Sequence, residues 1–286
     1  MAIINIRYVP EAMPTNKQKA DIAYAAAQWT KILNDDLSIN VQVWAVSMNI
    51  GLNTICIPGF YQGADHPTLT RPQAKLLGAI AGHDLNIDLI VVIDTATPWV
   101  LGTDPAPEVA TGQYSLATTV MHELCHGLGF LGLCDAAPRA LSSSLHGLGT
   151  YTAADRLIKL LNLAVKVMDP NVDIPAHFFP DPSKTGFAVR TPFANLFKYT
   201  NAKLAKGEPT NDYTAFMGDN GSIVINSSEY IVLTADDLKF RPFTTCDHIT
   251  GADYLMNPST EGQYYAVPDA SSRDILRRIG WTVKDD

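Results

Sequence analysis

Hydrophobic and polar residues along this chain follow two different periods, and the switches between them mark out its elements. Ile3 to Val9 is a short β-branched segment, after which Pro14, Thr15 and Gln18 supply a turn and a capping box. The Ala-rich stretch that follows, to about Leu33, carries Ile22, Ala26, Trp29 and Leu33 on one face and so predicts a helix. Ile39-Asn-Val-Gln-Val-Trp44 alternates apolar with polar positions, the pattern of a half-buried strand. A loop punctuated by Gly and Pro covers Pro58 to Pro72, and Gln73 to Ala81 is predicted as a second helix. The apolar run Ile87-Asp-Leu-Ile-Val-Val-Ile93 predicts a strand inside the sheet, because only a strand covered on both faces drops the alternation.

Further on, Thr97 to Gln113 reads as a loop with Trp99 and several prolines, and Tyr114 to Phe130 as a strongly apolar helix ending at Gly127-Leu-Gly129, where glycine suits a left-handed cap. Ser142 to Gly149 reads as another loop, Ala153 to Met168 as a helix, and residues 169–212 as irregular. Ser222 to Leu233 is predicted as a β-hairpin, and Ser271 to Ile279 as a final helix that stops at Gly280-Trp281. No repeat or low-complexity tract interrupts this order.

Composition narrows the class. At 286 residues and 47% hydrophobic, the chain can bury a substantial core in one large domain or two lobes, and disorder, collagen and coiled coil are excluded. No apolar run approaches the ~20 residues of a membrane span. A formal charge of −8 without a Lys/Arg cluster argues against a nucleic-acid partner. Met1 to Tyr8 lacks the layout of a signal peptide, so the chain is expected either to work where it is made or to have lost an export segment. Cys56, Cys125, Cys134 and Cys246 contain no C-x-x-C pair, and their even number fits two disulfides or reduced, buried thiols equally.

The informative segment is Met121-His122-Glu123-Leu-Cys-His126-Gly-Leu-Gly129-Phe130. On a helix, His122 and His126 stand one turn apart on one face, so both imidazoles can bind one metal ion. Glu123, about 100° further round, reaches the edge of that face. This is the H-E-x-x-H pattern, in which zinc lowers the pKa of its water toward ~7 and the glutamate takes the proton. With seven His and six Glu in the chain, random placement yields only about 0.004 such motifs.

A catalytic zinc site ordinarily has three protein ligands. Nothing marks His66 or His83, whereas His146 sits in a Ser/Gly loop within reach of His126. His248 precedes Tyr254-Leu-Met256-Asn257-Pro258, where Asn257 and Pro258 predict a tight turn. Tyr254, Tyr264 or Tyr265 could offer a phenol to an oxyanion, although packing is the commoner role of each. Cys125 lies off the ligand face and reads as a buried, inert thiol. Asp155 reads as a helix cap or a partner behind a ligand. Asp169, Asp173 and Asp181 could hold a structural calcium, but no D-x-D-x-D-G spacing supports it.

The H-E-x-x-H-x-x-G segment resembles zincin metallopeptidases, specifically the metzincin-like branch, with Gly129 at the motif glycine and Met256 at the methionine turn. It departs from that branch at Gly132, where a third ligand would stand and glycine cannot supply one. More closely, the chain resembles a group of mostly exported bacterial metallopeptidase-like proteins with the pattern H-E-[IL]-x-H-G-L-G-F. Similar features are the Trp29 helix running into Ile39-x-Val41, the Ile87-Asp88 strand followed by Trp99, the Ala-Ala-Asp155-Arg156 helix start, and the closing Ile279-Gly280-Trp281. In that group a downstream histidine takes the place of His248, which implies His248 as third ligand, with His146 and then Asp135 as alternatives. The resemblance implies an α+β, zincin-like fold of two lobes forming one catalytic unit. Residues 1–134 would carry a twisted mixed sheet and the zinc helix. Residues 135–286, irregular and helical, would bring His248 and a floor at Met256 under the metal. It also implies a secreted zinc endopeptidase acting on protein or peptide, with Glu123 as general base; a cytoplasmic location is the alternative, and nothing in the sequence demands more than a monomer. A zinc hydrolase of a non-peptide amide or ester, or a non-catalytic binding or toxin module on the same fold, are the competing functions.

Overall fold

The computed structural model of the protein describes residues 1–48, 52–61, 69–130, 167–168, 222–224, 230–232, 248–249 and 254–285. The predicted loop at Ser142, the helix from Ala153 to Lys166, the irregular stretch, and His66, His146, His177, Asp135, Asp155, Cys134 and Cys246 lie outside the described residues.

A four-stranded sheet of order β1-β2-β6-β3 forms the frame, from β1 (Ile3–Tyr8), β2 (Ser38–Val46), β6 (Leu89–Asp94) and β3 (Thr54–Pro58). β1, β2 and β6 run parallel, with Ile6 opposite Val41 and Val43 opposite Val91, while β3 is antiparallel to β6 with Cys56 opposite Val91. Helix α1 (Asn16–Ile32) makes the crossover from β1 to β2. It opens with the predicted capping box, the Thr15 hydroxyl accepting from the Gln18 N–H and the Gln18 side chain accepting from the Thr15 N–H. Helix α3 (Leu116–Gly127) lies against α1, β3 and β6 with every residue buried. The Trp29 indole N–H donates to the Met121 carbonyl at 2.9 Å and pins the two helices together. Among the described residues the sheet and helices make an α+β architecture, and no helix is long and apolar enough to cross a membrane.

The structure departs from the patterning in four places. β2 is buried almost throughout, because the polar face of its alternation is covered: the Asn40 side chain donates to the carbonyls of Asp84 and Asn86 instead of to water. Helix α2 spans only Arg71–Leu76, opened by a Thr70/Gln73 capping box and followed by Gly78 at φ +71°. The segment after Trp44 holds β3, which the patterning left unassigned, followed by the short β4 (Phe60–Tyr61) and β5 (Leu69–Thr70). The predicted loop at Thr97 contains β7 (Trp99–Val100), which pairs with β8 (Tyr114–Ser115), so α3 begins at Leu116 with Ser115 as its cap.

The predicted hairpin appears as an antiparallel pair, β9 (Ser222–Val224) and β10 (Tyr230–Val232). The final helix, α4 (Ala270–Arg278), is capped by Asp269 and ends before Gly280 at φ +109°. The C-terminal residues share one core with the sheet: Leu255, Met256, Ile275, Leu276, Ile279 and Trp281 join Ile22, Trp29, Ile39, Val91 and Val120. The Trp281 indole donates to the Leu128 carbonyl at 2.9 Å, and Lys284 N–H to Ile32 at 2.8 Å. Beside α2 a charge cluster is also buried. Asp88 meets the Lys75 ammonium at 2.6 Å, Arg71 Nε at 3.2 Å and the Asn40 N–H at 2.8 Å. It clamps α2 to the ends of β2 and β6.

Candidate metal centre

Helix α3 presents His122 and His126 on one side, and the segment at 248–249 brings His248 against both. The three are buried, with their candidate ligand atoms within 4.8 Å of one another, and they could hold a metal ion. His122 Nε2 lies 3.0 Å from His126 Nε2 and 3.2 Å from His248 Nε2. Each helix imidazole is oriented from behind. His122 Nδ1 lies 2.7 Å from the Leu255 carbonyl oxygen and His126 Nδ1 lies 2.8 Å from that of Phe130.

Those contacts fix the tautomers. A carbonyl oxygen can only accept, so both Nδ1 atoms carry the proton and donate it. Burial pushes His122 below the ordinary imidazole range, to about 4, and pushes His126, with the nearby His122 adding to the effect, to about 3. Both rings are therefore neutral near pH 7, and their Nε2 atoms are bare lone pairs. Two bare nitrogens 3.0 Å apart cannot hydrogen-bond to each other; a cation between them removes the repulsion. Around a tetrahedral zinc with Zn–N of ~2.0–2.1 Å, ligand nitrogens stand about 3.3–3.4 Å apart. The two spacings from His122 fall just short of that, all three candidate ligand atoms lie within 4.8 Å of one another, and a set of imidazoles suits an ion such as Zn, Cu, Fe or Ni.

Glu123 points to the sheet edge. Its Oε1 accepts from the Thr54 hydroxyl at 2.9 Å and its Oε2 from the Cys56 N–H at 2.6 Å, both from β3. Burial drives the carboxyl up from 4.5 to about 7, against the two donors, which favour the charged form. Two glycines allow the helix this close approach. A Cβ on Gly127 would stand 2.6 Å from Leu89 Cδ1 and 3.0 Å from Cys56 Sγ. Gly129 has φ +119° and faces the Gln73 amide, which leaves Phe130 turned back toward His126.

Around Met256 the main chain carries the contacts. Tyr254 and Asn257 close a turn at 3.0 Å, and the Asn257 side chain accepts from Ser259 N–H at 2.9 Å across Pro258. The turn delivers the Leu255 carbonyl to His122, and its Met256 carbonyl accepts from the Ile249 N–H at 2.8 Å, tethering the residue next to His248. The Met256 side chain is in the core, and Tyr254 packs half-buried against it. The Tyr264 phenol donates to the Thr103 carbonyl at 3.0 Å, and the Tyr265 N–H donates to the Thr118 hydroxyl at 2.8 Å.

Cys56 and Cys125 are free thiols. Burial pushes both well above the usual thiol range, with Glu123 adding to the effect at Cys56 and Asp269 at Cys125. Neither is disposed to act as a thiolate ligand.

Sequence reasoning missed Thr54 and Cys56, the carbonyls of Leu255 and Phe130, and Asp269. The only signal was the β-prone Thr54-Ile-Cys-Ile57; main-chain donors and acceptors carry no residue signature. No protein-family model, curated protein or solved structure matches this chain.

Proposed function

We propose that the chain is a zinc-dependent endopeptidase of zincin-like, two-lobed architecture, with His122, His126 and His248 as metal ligands and Glu123 as general base. One observation carries the reading: two helix imidazoles, each held by a carbonyl on Nδ1, turn bare Nε2 atoms toward one another and toward His248. A bound zinc would act as a Lewis acid, polarising the scissile carbonyl and making water acidic near neutral pH. Glu123, next to the first ligand in the helix, accepts the proton of the attacking water and returns it to the leaving amine. Its two oxygens are aimed by Thr54 and Cys56, which leaves each a further lone pair. A carboxyl raised to about 7 is a stronger base than an exposed one, although a divalent ion nearby favours its charged form and lowers that value. The peptide substrate and the floor at Met256 rest on the resemblance of the His122 to Phe130 segment to metallopeptidases.

The test is Glu123→Gln. The variant should keep about one zinc per chain and lose hydrolysis of denatured protein by at least 100-fold. Undiminished hydrolysis would remove Glu123 from the mechanism. Hydrolysis of small esters, with denatured protein untouched, would favour the non-peptide hydrolase.

A further inference from the structure

Asp269 joins two parts of the molecule. Its Oδ1 accepts from the Ser272 N–H at 2.8 Å, capping α4. Its Oδ2 accepts from the Leu255 N–H at 3.0 Å. Capping alone would use one oxygen; the second reaches 14 residues back, to the residue whose carbonyl holds His122. Leu255 is thus gripped at both ends of its backbone, its N–H by Asp269 and its C=O by the His122 imidazole at 2.7 Å. The same turn also holds Ile249 through the Met256 carbonyl. Within the turn itself the Asn257 N–H donates to the Tyr254 carbonyl at 3.0 Å and the Asn257 side chain accepts from the Ser259 N–H at 2.9 Å, contacts that close the turn without tying it to the rest of the fold. Asp269 is itself held as the cap of α4, whose Ile275 and Leu276 are in the core.

We infer that Asp269 is a positioning residue of the metal centre: through the Leu255 peptide it sets the carbonyl that orients His122, and through the turn it sets the segment bearing His248. The inference rests on the reading of the three histidines as metal ligands. It assigns to the carboxylate a role that a helix cap does not require. Partners behind a ligating histidine are worth ~10–100-fold in metal affinity, and Asp269, one peptide further out, is expected at the lower end, about tenfold.

Asp269→Ser tests it, because serine is a good cap and can satisfy Ser272 but is too short to reach Leu255 as well. Zinc affinity is measured on the full chain by chelator competition, and the cobalt-substituted protein gives its ligand-field absorption spectrum. The expected result is a metal-free protein that still melts cooperatively, a few degrees below the wild type because the buried Leu255 N–H loses its acceptor, with zinc affinity about tenfold weaker and a shifted or weakened cobalt band. Thr15→Ala, which breaks the cap of α1 remote from the site, should leave affinity and spectrum unchanged. Wild-type affinity and spectrum in Asp269→Ser would overturn the inference. If the serine variant fails to fold, Asp269→Asn, which has one acceptor oxygen in the same volume, carries the same comparison. Wild-type protein that takes up neither zinc nor cobalt would overturn the metal-site reading and this inference with it.

Discussion

Replacing Thr54 with Val removes one hydroxyl, nearly preserves the side-chain shape, and so isolates the hydrogen bond from Thr54 to Glu123 Oε1 at 2.9 Å. A hydrogen bond to a charged group is worth about 1.5–3 kcal/mol, and one pKa unit corresponds to about 1.4 kcal/mol. The bond favours the carboxylate, so its loss should raise the Glu123 carboxyl by about one to two units from its starting point near 7. The Cys56 N–H, at 2.6 Å from Oε2, keeps the carboxyl in place. The scarcity of glutamate makes this measurable. Carbon-13 labelling of the glutamate carboxyls gives six signals, and Glu123→Gln identifies the one that matters.

In metal-free wild type that signal should titrate near 7, and in Thr54→Val near 8 to 9. Stability follows with a definite sign. A carboxyl raised from 4.5 to about 7 by folding contributes stability that is full below 4.5 and is lost as pH rises through 7, roughly 3 kcal/mol in all. A wild-type midpoint near 4.5, or an unchanged midpoint in Thr54→Val, would mean that neither burial nor the Thr54 hydroxyl governs this carboxyl.

Three further outcomes follow from the geometry. Gly129→Ala forces an L side chain to φ +119° against Gln73; it should cost at least about 2 kcal/mol in thermal melts and weaken metal binding, since Phe130 orients His126, and a wild-type melt would contradict this. Because folding lowers His122 and His126 from 6.5 to about 4 and 3, the stability that they lend is full above 6.5 and is lost as pH falls through those values. Urea midpoints of the metal-free protein should therefore drop between pH 6.5 and 4, with a flatter slope in His122→Leu; an unaltered slope would contradict the shift. Asp88→Ala leaves the Lys75 ammonium buried and should cost about 3–5 kcal/mol in urea unfolding, whereas the double replacement Lys75→Met with Asp88→Leu should cost clearly less; equal losses would contradict the ion-pair reading.

α1 and α3 were legible because their apolar periods are long and their ends carry capping or glycine signals at Thr15, Gly127 and Gly129, and β6 because its apolar run is unbroken from Leu89 to Ile93. The burial of β2 was not, because it depends on a loop folding over Asn40, a tertiary contact that local alternation cannot encode. β3 is five residues long and ends in Pro58, and it reaches Glu123 through the Thr54 hydroxyl and through a main-chain N–H at Cys56 that any residue but proline would offer. At the site, the spacing of His122, Glu123 and His126 declared itself through helical geometry. The approach of His248, 122 residues from His126, was implied only by resemblance, and the carbonyls behind the imidazoles are invisible in any sequence.

Everything proposed for the site depends on three imidazoles converging on one zinc ion. Crystals of the zinc-replete protein, measured on either side of the zinc absorption edge, test it directly. A single anomalous peak is expected at ~2.0–2.1 Å from Nε2 of His122, His126 and His248. No peak at that position, or one with His248 beyond about 2.5 Å and another residue such as His146 or Asp135 in its place, would contradict it.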